Sequence, residues 1–206
     1  MNGCYIVRNA RALESCYKEY TQGREMNTHS EFVEVLLRRT IEACIGPSAL
    51  RNQGSAKVLE KAREYLRTID LRAFSDIDEP TFKSLLDKHT LKLQHHLPTN
   101  AQHWGAARKA MNLFLRDILY NRYLCSSYAF VQNEKWLEVP LDSYVARGIR
   151  ANFDGDLPKW SGIKNLTPAT SDKFQIAAKY IARNRKIVPV HLDVYFWREI
   201  AKRGSV

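Results

Sequence analysis

Trp104-Gly105-Ala106-Ala107-Arg108-Lys109-Ala110-Met111-Asn112-Leu113-Phe114-Leu115-Arg116-Asp117 reads as a helix along its whole length. Wound at 3.6 residues per turn, it places Trp104, Ala107, Met111, Leu115 and Ile118 on one face and Arg108, Asn112 and Arg116 on another. Lys109 falls near the boundary between them. Outward from this stretch the same three-to-four spacing of apolar residues recurs, and period-two alternation is scarce, so the fold class is all-α.

Seven helices are expected, near residues 8–20, 30–44, 55–67, 79–88, 100–123, 167–184 and 189–202. The second has Ser30 and Glu31 at its start and the Arg38-Arg39 pair nearer its end, as the helix dipole favours. Thr167-Pro168 supplies an N-cap and a first-turn proline for the sixth. Asn152 to Asn165, with Gly155, Pro158 and Gly162, is the clearest loop. It is short enough to join parts of one domain, so residues 1–206 are expected to form a single unit, with the chemistry concentrated between about 100 and 150.

The formal charge of +10 is unevenly spread. Residues 1–100 hold 15 Lys and Arg against 13 Asp and Glu, whereas residues 101–206 hold 17 against 9. A basic second half favours a polyanionic partner through counterion release, without separating DNA from RNA or an anionic membrane. Gly105, Ala106 and Ala107 would let such a strand, or another backbone, approach the start of the lysine helix. The cysteines Cys4, Cys16, Cys44 and Cys125 fit neither a paired-ligand metal pattern nor a dense disulfide scaffold, and read as reduced thiols of a cytoplasmic protein. No apolar run approaches the roughly 20 residues of a membrane span.

Three constellations carry possible chemistry. Lys109 is either one cation on a solvated face or a placed amine. In Val139-Pro140-Leu141-Asp142-Ser143 the aspartate stands where a helix cap belongs, which by itself accounts for its presence. In Val188-Pro189-Val190-His191-Leu192-Asp193-Val194-Tyr195-Phe196-Trp197, Asp193 and Trp197 are four apart and share a helix face. That pairs a carboxylate with a large aromatic plane, as recognition of an extruded base requires, although a core tryptophan beside a cap would look the same.

Together the three stretches resemble the helix-hairpin-helix DNA glycosylases, and within them the archaeal 8-oxoguanine branch. Gly105 to Asp117 looks like the family's lysine helix and Pro140-Leu141-Asp142-Ser143 like its aspartate step. The interval of 33 residues from Lys109 to Asp142 is similar to that branch, as is His191-Leu192-Asp193 with Trp197. Pro98-Thr99-Asn100 stands in place of the usual Leu-Pro-Gly-x-Gly hairpin.

The resemblance covers roughly residues 100–206. It implies two small helical lobes around a cleft, and a monomer acting on double-stranded DNA that contains a modified base, with no metal or organic cofactor. It implies Lys109 as nucleophile, its amine kept neutral by burial and by the neighbouring Arg108 cation, and Asp142 as its partner. Asp193 and Trp197 would form the base pocket, and Arg108, Arg147 and Lys173 would contact DNA. The base is 8-oxoguanine or a bulky modified base such as glucosylated hydroxymethylcytosine of phage DNA, the latter implying antiviral defence. A Schiff base on Lys109 would add strand cleavage. A non-catalytic nucleic-acid-binding module on the same scaffold, and a structural helical protein, are the alternatives.

Overall fold

A computed structural model of the chain describes residues 29–53 and 57–203. By internal contacts the chain divides into two units, Met1–Leu37 and Arg38–Val206. Of the first, residues 29–37 are described, and they are helical. The helix expected near residues 8–20 lies outside the described residues.

The described residues are all-α, with no strand among them. Helix α1 covers residues 29–44, followed by α2 (Val58–Leu66), α3 (Glu79–His96), α4 (Trp104–Tyr120), α5 (Arg122–Ser127), α6 (Ser143–Ala151), α7 (Pro168–Arg185) and α8 (Leu192–Arg203). Short 3-10 turns at Leu71–Phe74, Thr99–Ala101, Phe130–Trp136, Ile163–Asn165 and Pro189–His191 connect them. None of the described helices is long and apolar enough to cross a membrane.

Local chemistry explains most boundaries. The Asp78 side chain accepts the Thr81 N–H and starts α3, while Thr167 accepts the Thr170 N–H ahead of Pro168 in α7. Asn121 ends α4 and caps α5 by accepting the Tyr123 and Leu124 N–H groups, so the single helix expected over 100–123 is broken at its C-terminal end. Helix α3 runs eight residues past the expected end at 88 because its buried stripe of Phe82, Leu86, Thr90 and Leu93 continues. There the Thr90 hydroxyl donates to the Leu86 carbonyl.

Helix α4 is the axis of this unit. Every residue from Gly105 to Leu115 is buried, and α4 packs chiefly against α3 and against the Ile163–Asn165 turn. The small residues at its start admit another backbone: a Cβ on Gly105 would overlap the Ile163 carbonyl and lie 2.6 Å from Leu166 Cβ. One apolar cluster joins Val139, Leu141, Val145, Ile149, Phe174, Ile181, Leu192 and Phe196 from α6, α7, α8 and the segment before α6. Gly148 takes part through its lack of a side chain, since a Cβ there would enter the Phe196 ring. Elsewhere Phe74 packs against Phe82 and Phe130, with ring centroids 5.4 and 6.3 Å apart.

Residues 137–142 belong to no helix or sheet, and side chains hold them. Gln175 of α7 does so at Val139, accepting its N–H at 3.0 Å and donating to its carbonyl at 2.9 Å. Arg108 and Asn112 of α4 hold Glu138. The aspartate of the next helix is thereby fixed relative to α4.

Candidate active site

Asp142 is the N-cap of α6. Its Oδ1 accepts the Tyr144 and Val145 N–H groups, both at 2.9 Å, and its Oδ2 lies 3.3 Å from Lys109 Nζ. The capping explanation and the chemical one are therefore not rivals, because each uses a different oxygen of the same carboxylate. Lys109 itself is no member of a solvated face.

Distance alone does not mark a site. Lys179 and Glu79 also stand 3.3 Å apart, but their side chains are 57% and 56% exposed, against 8% and 13% for Lys109 and Asp142. An exposed pair exchanges little more than water for its partner, whereas a buried pair in a cavity wall meets whatever fills the cavity.

A cavity of about 410 Å³ runs along α4 from Lys109 past Leu113, Arg116 and Asp117 to Tyr120; Asp142, Asp193 and Trp197 also line it. A second, of about 430 Å³, is lined by Asn52, Ser143, Tyr144 and Ile163, and shares Ser48, Ala49, Lys109, Asp142 and Trp197 with the first. The lysine, the aspartate and the tryptophan thus stand where the two spaces meet, and either volume is in the range that small-ligand sites occupy. A larger cavity, of about 730 Å³, lies elsewhere, against Lys135, Trp136, Lys179, Tyr180 and Arg183. The ion pair in its lining is the exposed Lys179–Glu79.

Trp197 is 46% exposed, and its ring centroid lies 4.8 Å from that of Tyr144. It is a cavity-lining aromatic and not core filling. Asp193 is 3% exposed and bonded to Arg116 Nη1, while Arg116 also donates to Asp117 through Nε at 2.7 Å. Burial raises the Asp193 pKa above the ordinary aspartate value; the Arg116 charge opposes this and the Asp142 charge adds to it. Cys44, on the same cavity wall, is a free buried thiol whose pKa is pushed up to about 12, first by burial and then by Asp117. It is therefore an inert thiol.

No family model matches the chain, and no curated protein or solved structure shows significant similarity to it.

The structure separates the seven residues singled out from the sequence. Lys109, Asp142, Asp193 and Trp197 line one cavity. Arg147 and Lys173 are exposed, on α6 and α7, and are not among the residues that line it. Arg108 requires a correction. It is 4% exposed and donates to Glu138 at 2.8 and 2.7 Å, to Asp87 at 2.7 Å and to Thr90 at 3.0 Å. Its guanidinium is committed inside the protein, so it does not face DNA. With two carboxylates against it, Arg108 is also no unbalanced cation acting on Lys109.

Arg116, Tyr120 and Tyr144 line the two cavities without having been singled out, and Glu138 supports the site from outside them by holding Arg108 and Asn112. A signal existed for Glu138, a lone charge between the apolar Leu137 and Val139. For Arg116 the signal was its place in the Arg108, Asn112, Arg116 stripe, a polar row on a helix otherwise buried.

Proposed function

We propose that this chain is a DNA N-glycosylase that extrudes and excises a modified base, with Lys109 as nucleophile and Asp142 as its partner. The observation that carries the reading is the buried Lys109–Asp142 pair, 3.3 Å apart, in the wall of a cavity that also presents Asp193 and Trp197. In this reading the helices form a helix-hairpin-helix glycosylase-like arrangement with the cavity as its cleft, acting as a monomer. The free thiols of Cys44 and Cys125 suit a cytoplasmic site of action.

The chemistry follows from the placement. Asp142 Oδ2 takes a proton from Lys109 Nζ and passes it to solvent, leaving a neutral amine that attacks the sugar C1′ beside a carboxylate that is ionised again. As the bond to the base lengthens, positive charge grows on the sugar, and the ionised Asp142, held by two backbone N–H groups, provides a fixed counter-charge. Extrusion of a nucleotide costs a few kcal/mol. Stacking on Trp197 and hydrogen bonding in the Asp193–Arg116 corner offset that cost. A Schiff base between Lys109 and the opened sugar then permits strand cleavage. The excised base is 8-oxoguanine or a hypermodified base such as glucosylated hydroxymethylcytosine in phage DNA, and exposed Arg147 and Lys173 contribute phosphate contacts.

Borohydride trapping tests the nucleophile. Wild-type protein and abasic duplex DNA should yield a covalent adduct that Lys109→Gln does not form. An undiminished adduct with Lys109→Gln moves the nucleophile elsewhere, and exposed Lys173 would be examined next.

A further inference from the structure

The far end of the cavity holds an arrangement that the Lys109–Asp142 chemistry does not use. Tyr120, on the last turn of α4, lines the cavity, and its hydroxyl lies 2.9 Å from His191 Nδ1. The other nitrogen of that imidazole, Nε2, lies 3.1 Å from Glu134 Oε1. The phenol and imidazole rings are tilted by 31°, with centroids 5.6 Å apart. Three elements converge to build this: α4, the Phe130–Trp136 turn and the Pro189–His191 turn. Both nitrogens of one imidazole are thereby engaged, one by the carboxylate and one by the phenol.

The roles follow from donor and acceptor chemistry. Glu134 accepts the Nε2–H, which fixes the tautomer and leaves Nδ1 to face the phenol. When the ring carries both protons, Nδ1–H donates to the Tyr120 oxygen, and the phenolic O–H turns to the cavity as a donor. The phenol stays protonated, because burial above all pushes its pKa up to about 12. The His191 and Glu134 side chains are 29% and 36% exposed, so solvent reaches the chain of groups from behind.

Position matches the need. Tyr120 stands 11 residues beyond Lys109 on the same helix, a rise of about 16 Å. The nucleophile works at the sugar, and Tyr120 lines the same cavity about three turns farther along α4. A base that leaves with the bonding electron pair departs more readily if its outer edge is protonated as it goes.

We propose that Tyr120 is the proton donor to the departing base and that His191, positioned by Glu134, recharges it. This rests on the glycosylase reading above. The Lys109 amine forms its bond to C1′ as the bond from C1′ to the base nitrogen breaks, and the electron pair goes to the base. The base takes the Tyr120 proton at its outer edge, the phenolate takes the Nδ1 proton, and His191 returns to the neutral form with its Nε2–H on Glu134. Solvent reprotonates the imidazole before the next turnover.

Single-turnover base release separates this role from a structural one. The substrates are duplex DNA carrying 8-oxoguanine and phage DNA carrying glucosylated hydroxymethylcytosine, with trapping on a preformed abasic duplex run in parallel. Tyr120→Phe should slow base release at least tenfold. Trapping on the abasic duplex, where no base leaves, should stay within about twofold of wild type. His191→Ala should show the same split and recover base release when imidazole is added. Base release by Tyr120→Phe at the wild-type rate, or equal loss of base release and trapping, overturns the relay alone. A wild-type protein that releases neither base overturns the glycosylase reading and the relay with it.

Discussion

Arg108 and Glu138 are joined by two hydrogen bonds of 2.8 and 2.7 Å, one residue before Lys109 on one chain segment and four before Asp142 on the other. The clamp fastens α4 to the segment that leads into α6, and so sets the separation of the lysine and the aspartate. Burial pushes the Glu138 pKa up, but the Arg108 charge and the hydrogen bonds from Arg108 and Asn112 outweigh it and hold the carboxyl below its ordinary value.

Breaking this clamp from one side leaves a buried carboxylate without its counter-charge. Arg108→Met should destabilise the fold by about 3–5 kcal/mol, whereas Arg108→Met combined with Glu138→Leu should recover much of the loss. Urea unfolding of the two variants at pH 7 measures the difference. A single variant as stable as wild type would mean that the clamp contributes nothing.

The same carboxyl predicts a pH dependence. A folded pKa depressed below the unfolded value contributes stability that is full above about 4.5 and disappears as pH falls through the folded value. Wild-type stability should fall below pH 4.5 more steeply than that of the Arg108→Met, Glu138→Leu double variant. Parallel curves would remove Glu138 from the account.

Asp193 has the opposite sign. Its folded pKa is raised, chiefly by burial, so its contribution to stability declines as pH rises from 3.8 through the folded value. Asp193→Asn should therefore be at least as stable as wild type at pH 7 while losing discrimination between modified and normal bases. Thermal melting and competition binding check the two halves. A marked loss of stability would show that the Arg116 bond outweighs the burial of the charge.

Much of this architecture was legible in the sequence. Thr167-Pro168 and Asp142 announced their caps, because capping depends on a few adjacent residues, and the apolar spacing gave α4 and α7. The ends were less legible: Asn121 stops α4 by offering its side chain to the next helix, which no periodicity reveals. Of the site, Lys109, Asp142, Asp193 and Trp197 were singled out separately, and the fold brought them to one cavity. Arg108 was misplaced for a physical reason. Its burial depends on Glu138, 30 residues away, and on Asp87 and Thr90 of α3, and an arginine whose partners are tertiary looks in sequence like any surface cation. The Tyr120, His191 and Glu134 chain was hidden likewise, since its members are 14 and 57 residues apart.

Gly105 offers a geometric test of how α4 is seated. Gly105→Ala would drive a methyl into the Ile163 carbonyl and the Leu166 side chain. The expected cost is about 1–3 kcal/mol, together with weaker trapping through Lys109 one turn along. Unchanged stability in urea would show that the Ile163–Asn165 turn yields freely.

The most direct measurement is an abasic-site assay with wild-type and Asp142→Asn protein on three DNAs: unmodified, carrying 8-oxoguanine, and phage DNA carrying glucosylated hydroxymethylcytosine. Asparagine keeps the cap, since its side-chain oxygen can still accept the Tyr144 and Val145 N–H groups, and it removes only the charge and the proton acceptor facing Lys109. Wild type should leave abasic sites on a modified DNA, and Asp142→Asn should lose at least a hundredfold of that activity at unchanged DNA affinity. Equal activity of the two proteins, or DNA binding without abasic sites on any of the three, would contradict the glycosylase reading.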